Sequence, residues 1–218
     1  TALLSSLSFG QINPRVVFVD QANHADEGEI NGTDWQKAFT NIDDALKIAE
    51  EDDYITIKIA KGTYYPKAGA TEAAWFIQKY GLRIEGGYPN NIPEGANPYP
   101  DPVNNITILS GDIARDDSWH PEDTTYSINE SSVNSKTVLR IDATKYCQIS
   151  GVWVVGGYSE GELSTEGAGI NIRCHSIAIE HCLFSSNRSG NTGGAINIKG
   201  YNQDYYLSKI SEIVIDNC

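Results

Sequence analysis

Asp112, Asp116, Asp117, Glu122 and Asp123 crowd one short stretch of this chain, with Arg115 and His120 among them. Paired carboxylates at a set separation can cleave glycosidic bonds. The same acids can line a groove around a cation. Arg115, Asp112, Asp116 and Asp117 are therefore the catalytic candidates. The plainer reading of such a run is a solvated acidic loop.

A second acidic stretch holds Asp20, Asp26, Glu27, Glu29 and Asp34. It is dense enough to hold calcium, but it lacks the Asp-x-Asp-x-Asn-Gly order of an EF-hand. Asp20, Asp26 and Glu29 are the metal candidates, and calcium is the one cofactor considered. His24, His120, His175 and His181 show no metal-ligand spacing. No nucleophile-elbow, P-loop or dinucleotide fingerprint occurs. The chain has 12 tyrosines and 4 tryptophans. Trp119, Tyr126 and Tyr158 fall in or near loops, where rings can stack on sugar faces, so they are the binding candidates. Packing an insertion against the body of the fold is the commoner use of such rings.

These residues need a scaffold, and 218 residues suffice for one sizeable core or two small ones. Hydrophobic residues make 40% and charged residues 21%, a globular balance. The net charge of −13 disfavours nucleic acid and anionic lipid as partners and favours cations. No run is long and apolar enough to predict a membrane span. Methionine is absent. Residues 1–10 read as the back half of a signal-peptide apolar region, with Ser8 and Gly10 as small residues before Gln11. Cys147, Cys174, Cys182 and Cys218 allow three full pairings. Cys182 and Cys218 hold equivalent places in a repeat, which favours stacked buried thiols.

That repeat fixes the expected architecture. Gly167, Gly169, Ile170, Asn171 and Ile172 recur as Gly193, Ala195, Ile196, Asn197 and Ile198, and Ile179 and Cys182 recur as Ile215 and Cys218. Such self-similarity marks stacked turns that cannot bury their apolar sides alone. Ile55, Ile57 and Ile59 alternate with Thr56 and Lys58, a strand with one buried face. Short Val- and Ile-rich strands follow to the end of the chain. Trp35, Ala38, Phe39, Ile42, Ala45, Leu46 and Ala49 form one helical stripe, predicting a helix over about 34–50 capped by Thr33 and Gln36. One helix and many short strands exclude doubly wound folds. The expectation is an all-β, right-handed parallel β-helix solenoid with an N-terminal capping helix. Residues 11–53 would form the cap region and 54–218 the solenoid, which would stop in mid-turn at Cys218.

Gly193, Gly194, Ala195 and Ile196, with Phe184, Ser185, Ser186 and Asn187, resemble the paired motifs of the polymorphic outer-membrane proteins. Asn31 to Trp35, Ile59 to Pro66, Glu85 to Tyr88 and Thr107 to Ile113 are similar to the capping region of exported proteins of the pectin-lyase-like superfamily. The resemblance implies export to the cell surface or beyond, and relatives often carry a further anchoring or sorting domain. It also implies that a lyase of this kind would set Arg115 as a base beside acids holding calcium. With only the Arg115 cluster to serve, the expectation is a non-catalytic structural, adhesive or carbohydrate-binding passenger facing extracellular polysaccharide or a host surface. A polysaccharide lyase or glycoside hydrolase is the alternative.

Overall fold

The structure, a computed structural model, describes residues 14–23, 25–26, 28–48, 54–120, 125–129, 133–159, 167–190, 193–199 and 212–218. The expected signal-peptide segment lies outside the described residues, as do His24, Glu27, Glu122 and Asp123. In chain order the elements are β1 (Arg15–Val19), α1 (Ile42–Ile48), β2 (Tyr54–Ala60), β3 (Gly62–Tyr64), β4 (Trp75–Tyr88) and β5 (Thr107–Ser110). Then come β6 (Ser118–His120), β7 (Thr125–Ser127), β8 (Leu139–Ser150), β9 (Val152–Val155) and β10 (Tyr158–Ser159). The last are β11 (Ile170–Arg173), β12 (Ser176–Glu180), β13 (Leu183–Ser185), β14 (Arg188–Ser189), β15 (Ile196–Lys199) and β16 (Glu212–Asp216).

Eight of these strands form one parallel sheet, running β1-β2-β4-β8-β11-β15, with β12 joining β8 to β16. Its registers stack apolar side chains in columns. Ile57 pairs with Ile84, Ile84 with Ile149, Ile149 with Ile179, and Ile179 with Ile215. A second column runs Trp75, Leu139, Ile170 and Ile196. Alternate side chains of a strand share one face, so these columns line the interior, except Ile215 in the last strand, which is exposed. A four-stranded parallel sheet, β13-β9-β5-β3, closes on them. Its column of Tyr64, Leu109, Val154 and Phe184 meets the isoleucines in one core.

This architecture corrects the expected right-handed β-helix solenoid. The described residues make a curled half-barrel of parallel sheet rather than a clear solenoid, and they hold one short helix. The repeat specifies parallel register between neighbouring strands, and those pairings are present. It does not specify even turns. Leu82 pairs with Cys147 but Cys147 pairs with Ile177, so the stretch of chain between partners more than halves from one pairing to the next. The long excursion between β4 and β8 carries the acidic loop and the antiparallel β6–β7 hairpin.

The helix is also shorter at its start than its apolar stripe predicts. Asn41 caps it: the Asp44 amide donates to Asn41 Oδ1 at 2.9 Å, and Asn41 Nδ2 donates back to the Asp44 carboxylate at 2.8 Å. The residues before it are spent on tertiary contacts. Phe39 bridges β1, its amide donating to Phe18 O at 2.9 Å while Asp20 N donates to Phe39 O at 2.8 Å. Thr33, the expected cap, turns back to Asn31 Oδ1 at 2.7 Å. Trp35 packs instead on Phe18 and Tyr88, with ring centroids 4.8 and 5.0 Å away. Among the described residues no helix is long and apolar enough to cross a membrane.

All four cysteines are free thiols, with Cys147, Cys174 and Cys182 buried. Burial pushes the Cys174 thiol up to about 11 and the Cys182 thiol up to about 12. It raises the Cys147 thiol and the Tyr64 and Tyr88 phenols as well. Groups whose pKa rises on folding add stability that is full below their unfolded pKa and is lost as pH climbs through the folded one. Melting temperature therefore falls progressively above pH 9, and Cys182→Ala makes that fall shallower in thermal melts from pH 8 to 11. Ile149→Ala removes a fully buried side chain at the centre of its column and costs about 2–5 kcal/mol in urea unfolding. Val103→Ala, at a site 82% exposed, changes stability by less than about 0.5 kcal/mol.

Candidate functional site

Strand β5 ends at Ser110, and the chain turns sharply into the acidic stretch. Gly111 is stitched at that turn: its amide donates to Val155 O at 2.8 Å, and Ser135 N donates to Gly111 O at 2.8 Å. Asp112 follows with no exposed surface. One of its carboxylate oxygens accepts from the Arg115 amide at 2.6 Å and the other from the Asp117 amide at 3.0 Å. A buried carboxylate needs such donors, and here they also fold the loop around it. Arg115 takes a left-handed backbone conformation, φ 59°, within this turn.

The next two acids reach across the excursion. Asp117 Oδ1 accepts from the Asn129 amide at 2.8 Å, and Asp117 Oδ2 accepts from Asn134 Nδ2 at 3.0 Å. Asp116 Oδ2 accepts from Asn129 Nδ2 at 3.0 Å. Asn134 also donates to Gly156 O at 2.9 Å, tying the far end of the excursion to the end of β9. Three carboxylates converge here, each offering an oxygen within 4.8 Å of the others. Burial holds Asp117 above the ordinary carboxylate range, and the neighbouring Asp112 and Asp116 charges push the same way. The Arg115 guanidinium lies 5.2 Å over the Tyr65 ring.

A cleft of about 300 Å³ adjoins this cluster. Ile128, Asn134, Tyr158, Asn187 and Arg188 line it above the Gly156 and Gly157 turn. Tyr158 and Arg188 are register partners in the short β10–β14 ladder, and the guanidinium sits 5.7 Å from the ring centroid. Asn187 fixes the floor: the Gly157 amide donates to its Oδ1 at 2.9 Å, and its Nδ2 donates to Val154 O at 2.8 Å. A second cleft of about 310 Å³ lies away from the acids, beside α1, where Trp75 Nε1 donates to Asp43 at 3.4 Å.

Of the residues singled out from sequence, Asp112, Asp116 and Asp117 do come together. Arg115 joins them through its backbone, while its guanidinium stacks on Tyr65. Tyr158 lines the cleft. Trp119 and Tyr126 are register partners in the β6–β7 hairpin. Asp20, Asp26 and Glu29 do not form a ligand set. Asp20 is buried and accepts from the Ala22 amide, Asn90 Nδ2 and the Asn91 amide at 2.9, 2.7 and 3.0 Å, whereas Asp26 and Glu29 are exposed. Asn129, Asn134 and Arg188 escaped the sequence reading. Nothing local marks a lone asparagine or arginine when its partners lie far along the chain.

Gly156 sits at φ +74°, where an added Cβ meets Asn134 and Asp117 only at ordinary contact distance. The cost of Gly156→Ala is therefore conformational, about 1–2 kcal/mol of stability by thermal melting, with no change of fold by circular dichroism. Comparison with protein families, with curated proteins and with solved structures gives no match to this chain.

Proposed function

We propose that this chain is a non-catalytic carbohydrate-binding protein acting outside the cell or at its surface. The observation that carries the reading is the Tyr158–Arg188 cleft. An aromatic ring offers an apolar face to the C–H face of a sugar, and its hydroxyl stays available at the rim. A planar guanidinium, and an amide such as Asn187 that gives one of its two N–H groups to Val154 O, can meet sugar hydroxyls around that face. Tyr158, Arg188 and Asn187 present this combination on a floor of paired backbone. The net charge of −13 opposes polyanions, so a neutral oligosaccharide is the better fit. The extracellular placement rests on the resemblance of the glycine and capping motifs to those of exported proteins.

The acids support binding rather than sugar cleavage. Backbone amides and asparagine side chains already donate to five of the six oxygens of Asp112, Asp116 and Asp117.

A glycan array followed by calorimetric titration checks the proposal. Binding of at least one neutral oligosaccharide is expected, and Tyr158→Ala should weaken it by about tenfold or more. Silence across the array, or a Tyr158→Ala variant that binds like the parent, would overturn it.

A further inference from the structure

We infer that the cleft beside α1 binds a small zwitterion that carries an apolar ring, the chemistry of a free aromatic amino acid. The cleft holds about 310 Å³, at the small end of the roughly 300–1,000 Å³ usual for ligand pockets. That volume suits one amino acid rather than a nucleotide or a sugar chain. The inference is independent of the sugar reading, which rests on the other cleft.

One wall is helical. Asp43 and Lys47 lie one turn apart on α1, so both sit on the same side of the helix. The facing wall is the segment that leads into β4, and it carries Lys67 and Ala73. Backbone bonds fix that segment in place: the Ala74 amide donates to Thr137 O at 2.8 Å, and the Lys136 amide donates to Thr71 O at 2.7 Å. Trp75 and Phe76, the first residues of β4, supply the aromatic lining. Trp75 is buried, whereas Phe76 is 51% exposed, with the Arg140 guanidinium 5.3 Å from its ring centroid. A ligand ring packed here would take Phe76 out of water and meet aromatic partners.

The charges specify the rest. Among the described residues the lining holds one carboxylate and two ammoniums. The contacts of Asp43 are long, with Trp75 Nε1 at 3.4 Å and Lys67 Nζ at 4.0 Å, so a ligand ammonium can approach it more closely. Lys67 is 72% exposed, and the ion pair of Lys47 with Asp44 is an exposed one that contributes little. Both lysines can turn to a ligand carboxylate. A simple anion would sit beside Asp43 and a simple cation beside two lysines, so each meets a like charge. A zwitterion satisfies all three groups.

Calorimetric titration of the full chain with L-phenylalanine tests this. One molecule per chain is expected, with a Kd of about 1 mM, in line with about a dozen non-hydrogen atoms at the efficiency usual for larger ligands. 3-Phenylpropionate lacks the ammonium and phenethylamine lacks the carboxylate, and each should bind at least about tenfold more weakly. Lys67→Gln, at an exposed side chain, should keep the fold by circular dichroism and weaken L-phenylalanine by about threefold or more. Amide NMR shifts should change within residues 43–48 and 67–76. No binding up to about 10 mM, ten times the expected Kd, would overturn the inference. So would 3-phenylpropionate or phenethylamine binding as tightly as L-phenylalanine, unchanged binding in Lys67→Gln, or shifts confined to other segments.

Discussion

Parallel pairing in fixed register is the constraint from which the rest of this molecule follows. Shifting a strand by one residue would turn every inward isoleucine outward. Ile57, Ile84, Ile149 and Ile179 occupy one column because each strand is held to its neighbours by that register. Parallel strands cannot be joined by tight hairpins, so each pairing forces the chain to travel before it returns. Those returns are where the second sheet, the acidic loop and the cleft arise.

The second sheet and the candidate site are linked through backbone. Gly111, at the end of β5, bonds Val155 at the end of β9, and the next residue is the buried Asp112. Asn134 then ties the returning chain to Gly156, one residue past Val155. The acids and the cleft share this seam, so the register of β5 against β9 positions both. Sites are usually carried by loops on a rigid scaffold, and here the candidate acids begin two residues past the end of β5.

The sequence made the columns legible because side-chain alternation is local. Ile55, Ile57 and Ile59 announce their face without any partner, and the matched pairs Ile170 with Ile196 and Ile179 with Ile215 announce register. The curl into a half-barrel was not legible, since it depends on how far the chain travels between pairings. The stripe from Trp35 to Ala49 misled at its start because Phe39 is taken by β1 and Trp35 by Phe18 and Tyr88. The acidic cluster was visible as a run of charge. Its asparagine partners, Asn129 and Asn134, were not, because no periodicity connects them to Asp116 and Asp117. Tyr158 stood out as an aromatic near a loop, but the pairing with Arg188 belongs to the fold alone.

Methyl-resolved NMR on isoleucine-labelled protein tests the central claim most directly. The account predicts a continuous chain of contacts from the Ile57 methyls through Ile84 and Ile149 to Ile179, with the backbone pattern of parallel strands. Contacts among these residues in an antiparallel pattern, or none between Ile149 and its two neighbours, would contradict it.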